Sequence, residues 1–180
     1  GDHRDLHSFP TRRSSDLYMR VDADDFARPC SCGREHHIDV KEIVIESGAI
    51  GKLEEEMSDG DLREYISPLL ICDTNSYKAT EELMEDIYDR CQVLILDAEG
   101  LEADDRAVEI VENYMEEDID LVLAVGAGTI HDLSRFVAHQ YRIPFVSVPT
   151  AASSDGFTST DADRKSTRLN SSHSKISYAV

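Results

Sequence analysis

The stretch Leu121–Ser159, LVLAVGAGTIHDLSRFVAHQYRIPFVSVPTAASSDGFTS, constrains the fold more than any other part of the chain. Leu121 to Val125 is an unbroken apolar run, as expected of a parallel strand covered on both faces. Gly126-Ala127-Gly128 follows. Bare backbone at two of these positions lets main-chain amides come close to an anion, and the helix that starts there points its partly positive N-terminus at the same place. Phe145 to Val148 reads as the next buried strand, and Thr150-Ala151-Ala152-Ser153-Ser154-Asp155 as a hydroxyl-rich loop at its end. Buried strand, crossover helix and buried strand together specify a parallel sheet.

The chain upstream repeats this alternation. Glu42 to Glu46 reads as a strand, and Ile50 to Met57 as a short helix stopped by Ser58-Asp59-Gly60. Leu69 to Asp73 and Val93 to Asp97 read as two further strands. Between them, Thr80 is expected to cap a helix with Leu83, Met84, Ile87 and Tyr88 on one stripe. Asp104-Asp105 opens a helix whose stripe is Ala107, Ile110, Val111, Tyr114 and Met115. In the helix after the glycine turn, Ile130, Leu133, Val137 and Tyr141 should face inward. The expected fold is therefore α/β, one Rossmann-like parallel sheet with helices on both faces.

The two ends do not read as part of this domain. His7 to Leu17 (HSFPTRRSSDL) reads as the translation of a sequencing-library adapter, and Asp163 to His173 (DRKSTRLNSSH) as that of its partner adapter. Residues 1–17 and 163–180 are accordingly set apart as tails. Residues 18–162, from Tyr18 to Ala162, form the expected domain, an internal piece of a gene cut at the ends of a DNA fragment. Its 145 residues suffice for one domain with a core of its own.

The net charge is −19, and the tails carry 0 and +3, which leaves −22 on the middle segment. A nucleic acid or an anionic membrane would be repelled, so neither is an expected partner. No apolar run approaches a membrane span and no signal peptide is evident, which fits a soluble cytoplasmic enzyme. An anionic cofactor would have to be held by local amides rather than by bulk charge. Cys72 and Cys91 sit in or beside apolar runs as reduced core residues. Cys30, Cys32, His36 and His37 lie within eight residues, yet their spacing is tighter than a zinc knuckle and no second ligand pair follows. They read as a hairpin or as a structural metal site.

Parallel sheets bind ligands at the carboxyl ends of their strands, and the residues there are Asp73, Asp97, Gly126 and Thr150. The glycine turn is either a phosphate cradle or a tight strand-to-helix connection. It has two glycines, with His131 in the place of a third, and the acid that usually follows such a turn instead precedes it, as Asp73. Asp73-Thr74-Asn75-Ser76 can hydrogen-bond a ribose or form an Asx turn, and Asp97 admits the same two readings. Thr150, Ser153, Ser154 and Ser159 either meet a ligand or satisfy their own loop. Asp155 is placed to accept from substrate hydroxyls, and Asp132 reads as a first-turn anion or a loop clamp.

Taken in order, D-x-N-S at Asp73, V-G-A-G-T-I-x-D at Val125 and V-P-T-A-A-S-S-D-G-F-T-S at Val148 resemble the glycerol-1-phosphate dehydrogenases. These belong to the wider group of iron-type alcohol dehydrogenases, glycerol dehydrogenases and dehydroquinate synthases. The resemblance spans about Cys30 to Ala162. It implies reversible NAD(P)H-dependent reduction of dihydroxyacetone phosphate, a phosphorylated triose, by a homo-oligomer. It implies that Asp73 contacts the cofactor ribose and that Gly126, Ala127, Gly128, Thr129 and Ile130 cradle the pyrophosphate. Thr150, Ala151, Ala152, Ser153 and Ser159 would line the nicotinamide side, and Asp155 would bind substrate. It also implies a divalent metal (Zn, Ni or Fe) held by one Asp and two His in a C-terminal helical domain missing from this chain. Those ligands, and with them the catalytic centre, would lie beyond Ala162. A glycerol dehydrogenase, a dehydroquinate synthase-like lyase and a non-catalytic nucleotide-binding domain are the alternative readings.

Overall fold

The computed structural model describes Gly33, residues 40–151 and the strands at 161–162, 169–170 and 174–179. Its strands are β1 (Glu42–Ile45), β2 (Pro68–Asp73), β3 (Gln92–Leu96), β4 (Leu121–Gly126), β5 (Phe145–Pro149), β6 (Asp161–Ala162), β7 (Leu169–Asn170) and β8 (Ser174–Ala179). Its helices are α1 (Ala49–Ser58), α2 (Thr74–Thr80), α3 (Glu85–Tyr88), α4 (Asp105–Glu112) and α5 (Gly128–Tyr141). Six strands form one sheet in the order β1-β8-β5-β4-β2-β3, every pair parallel. β6 and β7 pair antiparallel by themselves.

Alternation along the strands divides the core in two. Leu70, Cys72, Leu121, Leu123, Val125, Val146 and Val148 face one side, where α1 contributes Ile50, Leu53 and Met57 and the α2–α3 segment Met84 and Ile87. Leu69, Ile71, Val122, Ala124 and Phe145 face the other, beneath Ala107, Val108 and Val111 of α4 and Ile130, Leu133 and Val137 of α5. Helices thus cover both faces, and β4 and β5 are buried at every residue. The register of β2 on β4 starts from a side chain: the Asp120 carboxylate accepts from the amides of Ile66 (2.8 Å) and Ser67 (3.1 Å). Pro68 then falls beside Leu121. Cys72 and Cys91 are free thiols, and burial pushes both up, to about 11 and about 12.

Three expected helices differ in detail. α2 begins at Thr74 rather than after Thr80, because Asp73 and Ser76 form a reciprocal capping box immediately after β2. Thr80 ends that helix, returning its hydroxyl to the Ser76 carbonyl at 2.8 Å, and Leu83 lies exposed. Within α4, Val108 takes an inward place and Ile110 turns to solvent; the helix stops at Glu112, and Tyr114 beyond it is also exposed. Tyr141, the last residue of α5, is also exposed.

The sheet also reaches into the segment set apart as a tail. Ser174–Ala179 forms β8, inserted between β5 and β1. β8 thereby pairs main-chain N–H and C=O groups that β5 would otherwise present at an edge. Cys30, Cys32, His36 and His37 lie outside the described residues.

Leu123 is fully buried in the middle of β4. Leu123→Ala should cost roughly 2–5 kcal/mol through lost transfer energy and a residual cavity. A urea titration should show a lower midpoint with an unchanged slope.

Candidate cofactor site

The site follows from the winding of the chain. β2 and β4 are neighbours, yet β2 leads to a helix on one face of the sheet and β4 to a helix on the other. Their loops therefore part, and the carboxyl ends of adjacent parallel strands that separate in this way leave a crevice. Cys72 pairs with Val125 and Gly126 with Pro149, so Asp73, Gly126 and Thr150 follow three consecutive strand ends. Asp97 follows the end of β3 next to Asp73, since Asp73 pairs with Leu96. The four expected residues stand along one edge.

Gly126 is required for close packing. A Cβ there would come within 2.8 Å of Ile130 Cγ1 and 2.9 Å of its Cβ. The absent side chain lets α5 sit low over β4, with Ile130 fully buried. Gly128 differs, since a Cβ there would meet nothing within 4 Å. Ala127 is the N-cap of α5 and offers no side-chain cap. The first amides of a 14-residue helix therefore face the crevice without a capping oxygen, the arrangement that suits an anion. The Thr150 amide donates to the Gly126 carbonyl at 3.0 Å and ties the following loop to this turn.

Asp73 uses one carboxylate oxygen within the fold. Its Oδ1 accepts from the amides of Asn75 and Ser76, both at 2.8 Å. The turn reading of D-T-N-S is thus present, and Oδ2 has no partner among the described residues. Asp97 Oδ1 accepts from the Glu99 amide at 3.0 Å, and Thr74 Oγ1 accepts from the Ala98 amide at 3.3 Å, which laces the two loops together. Ala151 is described at the start of the last loop, whereas Ala152, Ser153, Ser154, Asp155 and Ser159 lie outside the described residues. Asp132 lies beyond the first turn of α5, and its carboxylate pairs with Arg135 at 3.2 Å.

Sequence reasoning missed a buried polar group beneath this turn. His131, Ser134 and Arg135 of α5 and Ser147 of β5 are all nearly inaccessible. His131 Nδ1 lies 2.8 Å from the Ala127 carbonyl oxygen, and its ring meets Phe145 edge-on, with centroids 6.4 Å apart. Arg135 lies over the same Phe145 ring at 5.4 Å. Burial pushes the His131 pKa down to about 4, and the positive charge of Arg135 adds to this, against the hydrogen bond to Ala127. The available signal was the four-residue spacing from Ala127 to His131, but spacing alone does not reveal that Phe145 closes over the ring.

Residues 44–179 match the family model described as iron-containing alcohol dehydrogenase. The chain belongs to the iron-containing alcohol dehydrogenase family. Among curated relatives, a glycerol-1-phosphate dehydrogenase (NAD(P)+) of Geobacillus stearothermophilus is 35% identical over 144 residues, which cover 76% of this chain and 35% of the relative. The corresponding protein of Bacillus velezensis is 38% identical over 132 residues, covering 69% and 33%. An iron-containing alcohol dehydrogenase structure from Thermotoga maritima superposes with a TM-score of 0.63 at 15% identity, covering 81% of this chain and 47% of that one. The chain spans about a third of the length of the curated relatives it matches. The likeness to that structure and the expectation of a parallel α/β sheet agree. Among the described residues, no three His, Cys, Asp or Glu side chains assemble a metal site.

His131 also gives the fold a pH dependence. Its pKa is about 4 when folded against 6.5 ordinarily, so between these values the unfolded chain binds the extra proton. Its contribution is present above pH 6.5 and is lost as pH falls towards 4. The loss is on the order of 3 kcal/mol. Urea midpoints of the native chain and of His131→Leu at pH 7 and pH 4.5 should show the native chain losing more stability on acidification. Parallel losses would contradict this.

Proposed function

We propose that this chain is the cofactor-binding part of an NAD(P)-dependent, metal-assisted dehydrogenase that interconverts dihydroxyacetone phosphate and sn-glycerol 1-phosphate. The observation that carries the reading is the glycine turn at the β2/β4 crevice. There the N-terminus of α5 lacks a side-chain cap, and Gly128 leaves open space in front of it. A dinucleotide pyrophosphate suits that space. The names of the curated relatives support the substrate.

In this reading the amides of Gly128, Thr129 and Ile130, with the backbone of Gly126 and Ala127, hold the pyrophosphate. Oδ2 of Asp73 takes a ribose hydroxyl while Oδ1 stays in its cap. Its negative charge opposes a 2′-phosphate and so favours NAD over NADP. Thr150 and Ala151, followed by Ala152, Ser153 and Ser159, line the nicotinamide side, and Asp155 receives the substrate. When bound, the nicotinamide supplies or accepts the hydride. The polarising metal is assigned to ligands downstream of Ala162, outside this chain.

Two measurements test the reading. NADH should bind the chain in calorimetry, and Gly128→Val should abolish binding by placing a branched side chain where the pyrophosphate sits. Unchanged affinity in the variant would reject the turn as the cradle. In an absorbance assay with NADH, dihydroxyacetone phosphate and Zn²⁺ or Ni²⁺, the chain should give no turnover until the natural downstream segment is joined to it. Clear turnover by the chain alone would overturn the division of labour.

A further inference from the structure

We propose that His131 is a positioning residue for the cofactor site: its ring pins the Ala127 carbonyl inward and so aims the Gly128 amide outward at the ligand. The inference rests on the cofactor reading of the glycine turn. It adds a residue that never touches the cofactor.

The argument begins with the peptide bond. In a planar trans peptide the C=O of one residue and the N–H of the next point in opposite directions. None of the described peptides is cis. Fixing the Ala127 carbonyl therefore fixes the direction of the Gly128 N–H. Ala127 has no side chain with which to organise the start of α5, and its backbone is extended (φ −89°, ψ −173°). Its carbonyl nevertheless has two contacts with one residue. The His131 backbone amide donates to it at 3.2 Å, and His131 Nδ1 lies at the shorter distance of 2.8 Å. The preceding carbonyl, that of Gly126, is held by the Thr150 amide at 3.0 Å. Both peptide planes of the turn are thus anchored, one from the following loop and one by the histidine.

The chemistry of the ring fits this task. A carbonyl oxygen only accepts hydrogen bonds, so the facing Nδ1 must carry the proton. His131 is 2% exposed and kept neutral, so it has a single N–H, and that N–H is committed to Ala127. Nε2 is buried and has no partner among the described residues. The edge-on contact with Phe145 blocks rotation of the ring away from the carbonyl. Arg135, lying over the same Phe145 and paired with Asp132, holds that ring in turn. The pin is therefore part of the packed interior, while the amide it orients faces the crevice.

The test separates the hydrogen bond from bulk. Asn places its amide nitrogen close to the position of the imidazole Nδ1, whereas Leu places a methyl group there. NADH affinity by calorimetry should fall about tenfold in His131→Leu, the order of one hydrogen bond, and stay within about threefold of the native chain in His131→Asn. Rescue by Asn is not expected of a role in packing alone. Without cofactor, long-range ¹H–¹⁵N spectra of the native chain should show Nδ1 protonated and Nε2 bare. The Gly128 amide signal should be sharp in the native chain and the Asn variant and exchange-broadened in the Leu variant. Equal NADH affinity in native chain and folded His131→Leu overturns the proposal. So does a proton on Nε2, a result that needs no variant to fold. If the native chain binds no NADH, the cofactor reading fails instead, and the tautomer and the Gly128 signal still decide whether the pin exists.

Discussion

The contact between the bare backbone of Gly126 and the side chain of Ile130 sets the depth at which α5 lies on the sheet. Everything at the candidate site depends on that depth. It brings the first turn of α5 level with the ends of β2 and β5, lets the Thr150 amide reach the Gly126 carbonyl, and puts His131 against Phe145. A methyl group at 126 would lift the helix or force Ile130 aside, and the alignment of donors at the crevice would go with it.

This local geometry matters because the bulk electrostatics point the other way. The chain carries a net charge of −19 and its middle segment more, so an anionic dinucleotide approaches a repulsive surface. In the proposed reading, attraction at the glycine turn comes from main-chain dipoles that are fixed in place and short in range. Such a site needs orientation more than charge. An amide rotated away contributes nothing, and for this reason anchoring the two peptide planes is of more consequence than adding a lysine nearby.

Much of the architecture was legible because it rests on long, simple patterns. β2 and β4 were marked by unbroken apolar runs, β5 by a run interrupted only at Ser147, and α4 by the aspartate that caps it. The alternation of these elements specified the parallel sheet, and the strand ends placed Asp73, Gly126 and Thr150 side by side. What was not legible involves one residue serving two ends. Asp73 closes β2 and opens α2 in the same turn, so the helix start was sought seven residues too late. The burial of Tyr114 was overestimated because a stripe is written into sequence whether or not the helix continues past Glu112, and that of Ile110 because the inward face is formed by Ala107, Val108 and Val111. The burial of His131 depends on Phe145, which is distant in sequence. β8 carries no apolar run comparable to β4, so its main-chain pairing with β5 and β1 was not legible.

The place of β1 has an entropic consequence. Its backbone pairs with β8 and with no other described strand, so Glu42 finds its neighbour at Ile176. Between them the strands β2 to β5 pair with partners much closer in the chain. Of the ladders in this sheet, the one between β1 and β8 therefore closes the longest loop and carries the largest closure entropy.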